Sequence, residues 1–108
     1  MSKVLEQEIE VKTKYKKPPK YCVVMINDNL TTFEFVILVI QQFFNKTQTE
    51  AINLANLIHQ KGSAVVGSNY DLDVAETKVK KVHILAQSQK FPLQCKVQPQ
   101  SNSEQGDA

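Results

Sequence analysis

The stretch YCVVMINDNLTTFEFVILVIQQFF at positions 21–44 constrains this chain more than any other. Tyr21 through Ile26 are apolar, rich in Val and Ile, and bounded by Pro19 on one side and by Asn27, Asp28 and Asn29 on the other. Such a run reads as a strand buried on both faces. Thr31-Thr32-Phe33-Glu34 then forms a capping-box pattern, in which the Thr31 hydroxyl takes the Glu34 amide and the Glu34 carboxylate reaches back. A helix of about 13 residues is predicted to follow. Phe33, Val36, Ile37, Ile40, Phe43 and Phe44 are expected on its inward face. The three polar side chains between strand and helix are thus held at one rim of an apolar wall. A rim of that kind suits a cation that carries an apolar group.

The remaining elements follow from similar local signals. Thr47-Gln48-Thr49-Glu50 repeats the capping box, and Ala51, Leu54, Ala55 and Ile58 form an i, i+3, i+4, i+7 stripe. His59 stands in the last turn of that second helix, and Gly62 is placed to take the left-handed conformation that ends it. Ser63 to Tyr70 reads as a strand around Val65 and Val66, with Gly67 allowing a bulge or a close backbone approach. Asp73-Val74-Ala75-Glu76 offers a third helix start, with Ala75, Val79, Val82, Leu85 and Ala86 inward. Phe91-Pro92-Leu93 ends that helix, and residues 94–97 alternate as a last strand.

The order β-α-α-β-α-β predicts a small single-domain α/β sandwich, a three-stranded antiparallel sheet packed on three helices. Residues 1–20, closed by Lys16-Lys17-Pro18-Pro19, are expected to be a flexible arm. Residues 21–98 then form the domain, and the polar residues 99–108 a disordered tail.

Composition narrows the function classes. With 108 residues, 42% of them hydrophobic, the chain supports one small core and no second domain. Its apolar runs are too short to span a membrane, and no signal segment opens it, so a cytosolic protein is expected. All thirteen basic residues are lysine, six of them within the first twenty positions. Without the bidentate fork of arginine, nucleic-acid recognition is disfavoured. Cys22 and Cys95 lie in apolar strands without metal-ligand spacing, and read as reduced, buried filler. No metal or cofactor is expected.

Taken together, Pro18-Pro19, Tyr21-Cys22-Val23-Val24-Met25-Ile26-Asn27-Asp28, Thr31, Glu34-Phe35-Val36, Ile58-His59, Gly62, Val74-Ala75-Glu76-Thr77-Lys78-Val79 and Pro92-Leu93-Gln94-Cys95 resemble the ClpS adaptor family in order and spacing. The resemblance implies an adaptor that binds proteins beginning with Leu, Phe, Tyr or Trp and hands them to a Clp-family AAA+ unfoldase. It places Asn27, Asp28 and His59 on the ligand's α-amine. It assigns Thr31, Phe33, Val36, Ala55, Ile58 and Leu93 to the pocket for the first side chain. Asp73, Glu76 and Lys78 would dock on the N-terminal domain of a ClpA-like unfoldase, and the arm 1–20 would engage its pore. The resemblance leaves a bacterial and a plastid branch open; the acid-bearing, proline-stopped arm is unlike a transit peptide, so a bacterial, cytoplasmic protein is expected, working as a monomer. This chain departs from the family pattern at Phe33 and Ala55, where methionine is usual, at Asn29, a common Asp, and at Thr32, a common Pro.

The chemistry suits such a ligand. A free N-terminus is an ammonium with three donors, so its receptor needs converging acceptors beside an apolar hollow. For His59 to accept, its imidazole must be neutral. Taken singly, Asn27, Asp28 and Asn29 are an ordinary strand-to-helix turn, and His59 is an ordinary residue near a helix C-terminus. Two other classes are open at this point. A hydrolase built on Cys22, His59 and Asp28 requires an exposed thiolate. A general interaction or nucleic-acid module would use the lysine-rich arm.

Overall fold

The structure, a computed structural model, describes residues 18–100. The expected arm up to residue 17 and the tail from residue 101 lie outside the described residues. Six elements follow in the expected order: β1 (Tyr21–Ile26), α1 (Phe33–Phe44), α2 (Gln48–Lys61), β2 (Ser63–Tyr70), α3 (Leu72–Ser88) and β3 (Gln94–Pro99). The sheet is antiparallel with order β2-β1-β3, so the most apolar strand is central and gains a partner on each side. Val23 and Met25, both without solvent exposure, face the core formed with the helices. Cys22 and Val24 are also buried and, by strand alternation, lie on the opposite face. Val24 is flanked there by Val65 and Lys96, and Cys22 by Gln98.

The first helix begins one residue later than its expected cap. Thr32 is the N-cap, its hydroxyl accepting from the Phe35 amide at 3.2 Å. The Thr31 hydroxyl instead donates to Asp28 Oδ2 at 2.7 Å. The Thr31 amide also donates to Asp28, at 2.7 Å, so Thr31 is held in the turn and Thr32 is left to cap the helix. The inward face of α1 is also turned from the expected one. Phe35, Val36, Val39, Ile40 and Phe44 are buried, Ile37 and Phe43 are half-buried, and Phe33 is 43% exposed. FEFVILVIQQFF is apolar nearly all round, so its periodicity does not define a phase, and packing on the sheet does. Asn45, at φ 55°, ends the helix in the left-handed region.

In α2 both halves of the capping box form, Glu50 N to Thr47 Oγ1 at 3.1 Å and Thr47 N to Glu50 Oε1 at 2.9 Å. Ala51, Ala55 and Ile58 are buried, and Leu54 is half-buried. Gly62, at φ 94°, returns its amide to the Ile58 carbonyl at 2.8 Å. β2 bulges opposite β1, where Val23 pairs with Gly67 and Val24 with Val65. A Cβ on Gly67 would collide with Tyr70 Oη and come within 2.9 Å of Phe44 Cδ1. Gly67→Ala is therefore expected to cost about 1–3 kcal/mol by overpacking. Urea unfolding measures this, and an unchanged midpoint would mean that Tyr70 swings aside freely.

α3 starts at Leu72 after Asp71, ahead of the expected Asp73 start. The Asp71 carboxylate does not cap the helix and pairs with Lys20 Nζ at 2.8 Å. Ala75, Val82 and Ala86 are buried, with Val79 and Leu85 packed against the core. Phe91 folds back under the helix, its amide on the Ala86 carbonyl at 2.9 Å and its ring 4.9 Å from that of Phe35. β3 then runs to Pro99, two residues beyond the expected strand, and pairs Pro99 with Tyr21. The Gln100 amide donates to the Lys20 carbonyl at 2.9 Å. Residues at the inner edges of the expected arm and tail are thus tied to the sheet, because the start of β1 needs partners on both sides. His83 Nε2 accepts from the Cys95 amide at 3.0 Å and so covers a backbone donor of the edge strand β3.

Candidate functional site

The polar turn meets the end of α2 through one backbone bond. The Asn27 amide donates to the Gly62 carbonyl at 2.9 Å, and the next pair in the ladder is Ile26 with Ser63. Because Gly62 turns the chain sharply out of α2 and into β2, His59, one turn before it, arrives beside Asn27. A cavity of about 400 Å³ opens there between the start of α1 and the end of α2. Asn27, Asp28, Asn29, Thr31, Phe33, Val36, Ala55, Ile58 and His59 line it. Val36, Ala55 and Ile58 are buried and make its floor, while Asn27, Asn29, Phe33 and His59 are exposed at its rim.

Asp28 holds the rim in shape. Its Oδ1 accepts from the amides of Leu30 at 2.8 Å and Thr31 at 2.7 Å, and its Oδ2 from the Thr31 hydroxyl. A carboxylate offers about four lone-pair sites, so three donors leave one for a ligand. Burial pushes the Asp28 carboxyl up, but the bonds from the Thr31 hydroxyl, the Thr31 amide and the Leu30 amide outweigh it, and the group titrates below its ordinary 3.8. A carboxylate whose folded pKa lies below its unfolded one adds stability above the unfolded value and loses it as the pH falls through the folded value. The stability gap between wild type and Asp28→Asn is therefore expected to be full at neutral pH and to close below about pH 4. Urea unfolding at several pH values checks this, and a gap that persists undiminished in acid would rule out the charged carboxylate as the loop's support.

Eight of the nine residues assigned from sequence to amine and pocket thus stand round one hollow. The ninth does not. Leu93, 3% exposed, belongs to the core and is not part of the cavity wall. It precedes β3, and its side chain fills space among the buried residues of helices and sheet. Asn29, expected at the polar rim but not assigned to the amine or the pocket, also lines the hollow. Its position between Asp28 and the cap was the available signal. Cys22 lies buried within β1 and pairs with Gln98, so it does not join His59 and Asp28 at the cavity. Burial pushes the other thiol, Cys95, up to about 12.

A second hollow, of about 250 Å³, lies along α3 and is lined by Asp73, Val74, Thr77, Lys78 and Lys81. Glu76, exposed on the same helix, is not part of it. Val74, Thr77, Lys78 and Lys81 follow helical spacing, which could have added Val74, Thr77 and Lys81 from sequence. Lys78 is largely committed to the fold. Its ammonium donates to the Phe43 carbonyl at 2.8 Å and sits 5.4 Å from the Tyr70 ring centre and 5.9 Å from that of Phe44.

Fold and cavity together define a small α/β binding domain with an apolar hollow rimmed by polar acceptors. Comparison with known proteins gives this class its family. The family described as ATP-dependent Clp protease adaptor protein ClpS matches residues 16–96. The ClpS adapter protein of Myxococcus xanthus is 43% identical over 89 residues, 82% of each chain. That of Leptospira biflexa is 45% identical over 94 residues, 87% of this chain and 81% of its own. Agrobacterium tumefaciens ClpS2, solved bound to L-phenylalaninamide, superposes with a TM-score of 0.73 at 33% identity, covering 78% of this chain and all of that one. The chain belongs to the ClpS family and is an adaptor of a Clp protease, with a Clp partner and a substrate to bring to it. That family is one of adaptors, not of catalysts. Among the described residues, no helix is long and apolar enough to cross a membrane.

Proposed function

We propose that this chain captures proteins by a free N-terminal α-amine and a large apolar first side chain, Leu, Phe, Tyr or Trp, and delivers them to the unfoldase of a Clp protease. The observation that carries the proposal is the single hollow in which Asn27, Asp28 and His59 stand beside the buried Val36, Ala55 and Ile58. An α-ammonium would donate to the Asn27 side-chain oxygen, the remaining lone pair of Asp28 and a neutral His59 nitrogen, while the first side chain enters the apolar floor. L-Phenylalaninamide, held by Agrobacterium ClpS2, has both features, an α-amine and an apolar side chain.

Burying one such side chain is worth ~1.5–3 kcal/mol, and each hydrogen bond to a charged amine ~1.5–3. Their gross sum of roughly 6–12 kcal/mol, less ordering and desolvation, fits a dissociation constant on the order of micromolar. A contact of that strength holds a substrate and still lets it pass to the unfoldase.

The delivery face in this reading is the start of α3. Asp73 and Glu76 are exposed there for a ClpA-like N-terminal domain, and Lys78, half-buried, contributes mainly by bracing α3 against the end of α1. The arm, residues 1–20, would meet the unfoldase pore. The protein would work as a monomer in the bacterial cytoplasm, in keeping with the bacterial sources of its relatives. Fluorescence anisotropy with peptides that differ only in a free or acetylated N-terminus tests the binding half. Free-amine dependence supports the proposal, whereas equal binding of both forms would overturn it.

A further inference from the structure

Two walls of the cavity differ sharply in what they present to a first side chain. Phe33 is the first residue of α1 and stands at the mouth with 43% of its surface open, while Ala55 is 2% exposed on the α2 side of the floor. Ala55 offers one methyl group, so α2 sends no long side chain across the hollow at that point. Phe33 offers a flat ring on a backbone held by the Thr32 cap. The ring has only two torsions and cannot fold out of the way as an unbranched chain can. The other apolar wall residues, Val36 and Ile58, are aliphatic.

Aromatic rings attract one another in edge-to-face and offset arrangements beyond the area they bury, by an amount equal to about a two- to tenfold gain in affinity. An aliphatic side chain at the same place gains only its burial. Resting on the N-terminus reading above, we infer that Phe33 and Ala55 together make this a site selective for aromatic first residues, Phe, Tyr and Trp, over leucine. Phe33 supplies the ring that an aromatic ligand meets at the mouth, and Ala55 leaves the depth that a larger ring needs.

The test uses the full chain and peptides identical except for a first residue of Phe, Trp or Leu, with an N-acetylated Phe peptide as control. Phe and Trp peptides are expected to bind about two- to tenfold tighter than the Leu peptide. Phe33→Leu removes the ring and should bring the Phe-to-Leu ratio close to one, by weakening the Phe peptide more than the Leu peptide. Ala55→Met should weaken the Trp peptide most. Equal binding of Phe and Leu peptides by the wild type, or a ratio unmoved by Phe33→Leu, would overturn the inference even where binding still requires the free amine. Binding that ignores acetylation would instead overturn the N-terminus reading beneath it.

Discussion

Acetylating the α-amine of a Phe- or Leu-initiated peptide is expected to weaken its binding by at least about a hundredfold. Acetylation removes the positive charge and leaves one N–H donor of three. At ~1.5–3 kcal/mol for each hydrogen bond to a charged group, losing two of them costs ~3–6 kcal/mol, more than two decades in affinity. Asn27→Ala and His59→Ala each delete one acceptor, so each should cost about ten- to a hundredfold. The two sites act on the same ammonium, and their effects in the double variant are expected to be non-additive. Both side chains are exposed at the rim, so neither change removes a core contact. Anisotropy titrations of the free and acetylated peptides against the wild type, the two single variants and the double variant measure all of this. An acetylated peptide that binds within a few-fold of the free one would show that the polar rim does not read the amine.

Ile40→Ala is expected to cost about 2–5 kcal/mol of folding stability. Ile40 has no solvent exposure and is among the largest fully buried side chains. It lies on the face of α1 that shares the core with Val23 and Met25 of the central strand. Truncation removes its burial and leaves a hollow where helix and sheet meet, a site that rigid elements on both sides cannot easily close. Against a total stability of roughly 5–15 kcal/mol for a domain of this size, the loss would be a large part. Urea unfolding followed by circular dichroism reads it as a fall in the midpoint at constant slope. A cost under about 1 kcal/mol would mean that the core relaxes around the missing atoms.

Much of the fold was legible because its signals are local. Thr47 and Glu50 lie three residues apart and satisfy each other's backbone, so the start of α2 can be read without knowing anything else. Gly62 marks the end of that helix for an equally local reason, since its φ of 94° strains any residue with a Cβ. The order of elements followed from such caps together with runs of period two and period 3.6. The first cap lies at Thr32, one residue beyond the Thr31 that the pattern predicts. Thr31 and Thr32 both precede Phe33, but the Asp28 carboxylate takes the backbone amide of Thr31 as well as its hydroxyl, which keeps Thr31 in the turn and leaves the cap to Thr32.

The candidate site divides along the same line. The residue types of the turn 27–29 and of His59, and the apolar stripe through Ala55 and Ile58, could be read from the chain. The family spacing then suggested which of them belong together. Their meeting depends on Gly62 receiving the Asn27 amide and on the pairing of Ile26 with Ser63. Leu93 shows the limit, since an apolar residue before a strand suits a pocket wall as well as a core, and only packing separates the two.

By itself, then, the sequence determined the kinds and order of the elements, the ends of α2 and the chemical character of the rim. Those properties are set by residues within a turn of one another, whose hydrogen bonds and backbone preferences do not wait for the rest of the molecule. Only the tertiary structure decided which face of the almost wholly apolar α1 turns inward, that Phe33 stands at the cavity mouth, that Leu93 stays in the core, and that Lys78 is bound to the end of α1. Each of those outcomes is a competition between apolar groups for the same buried space, or between donors for the same acceptor, and its winner depends on partners distant in sequence.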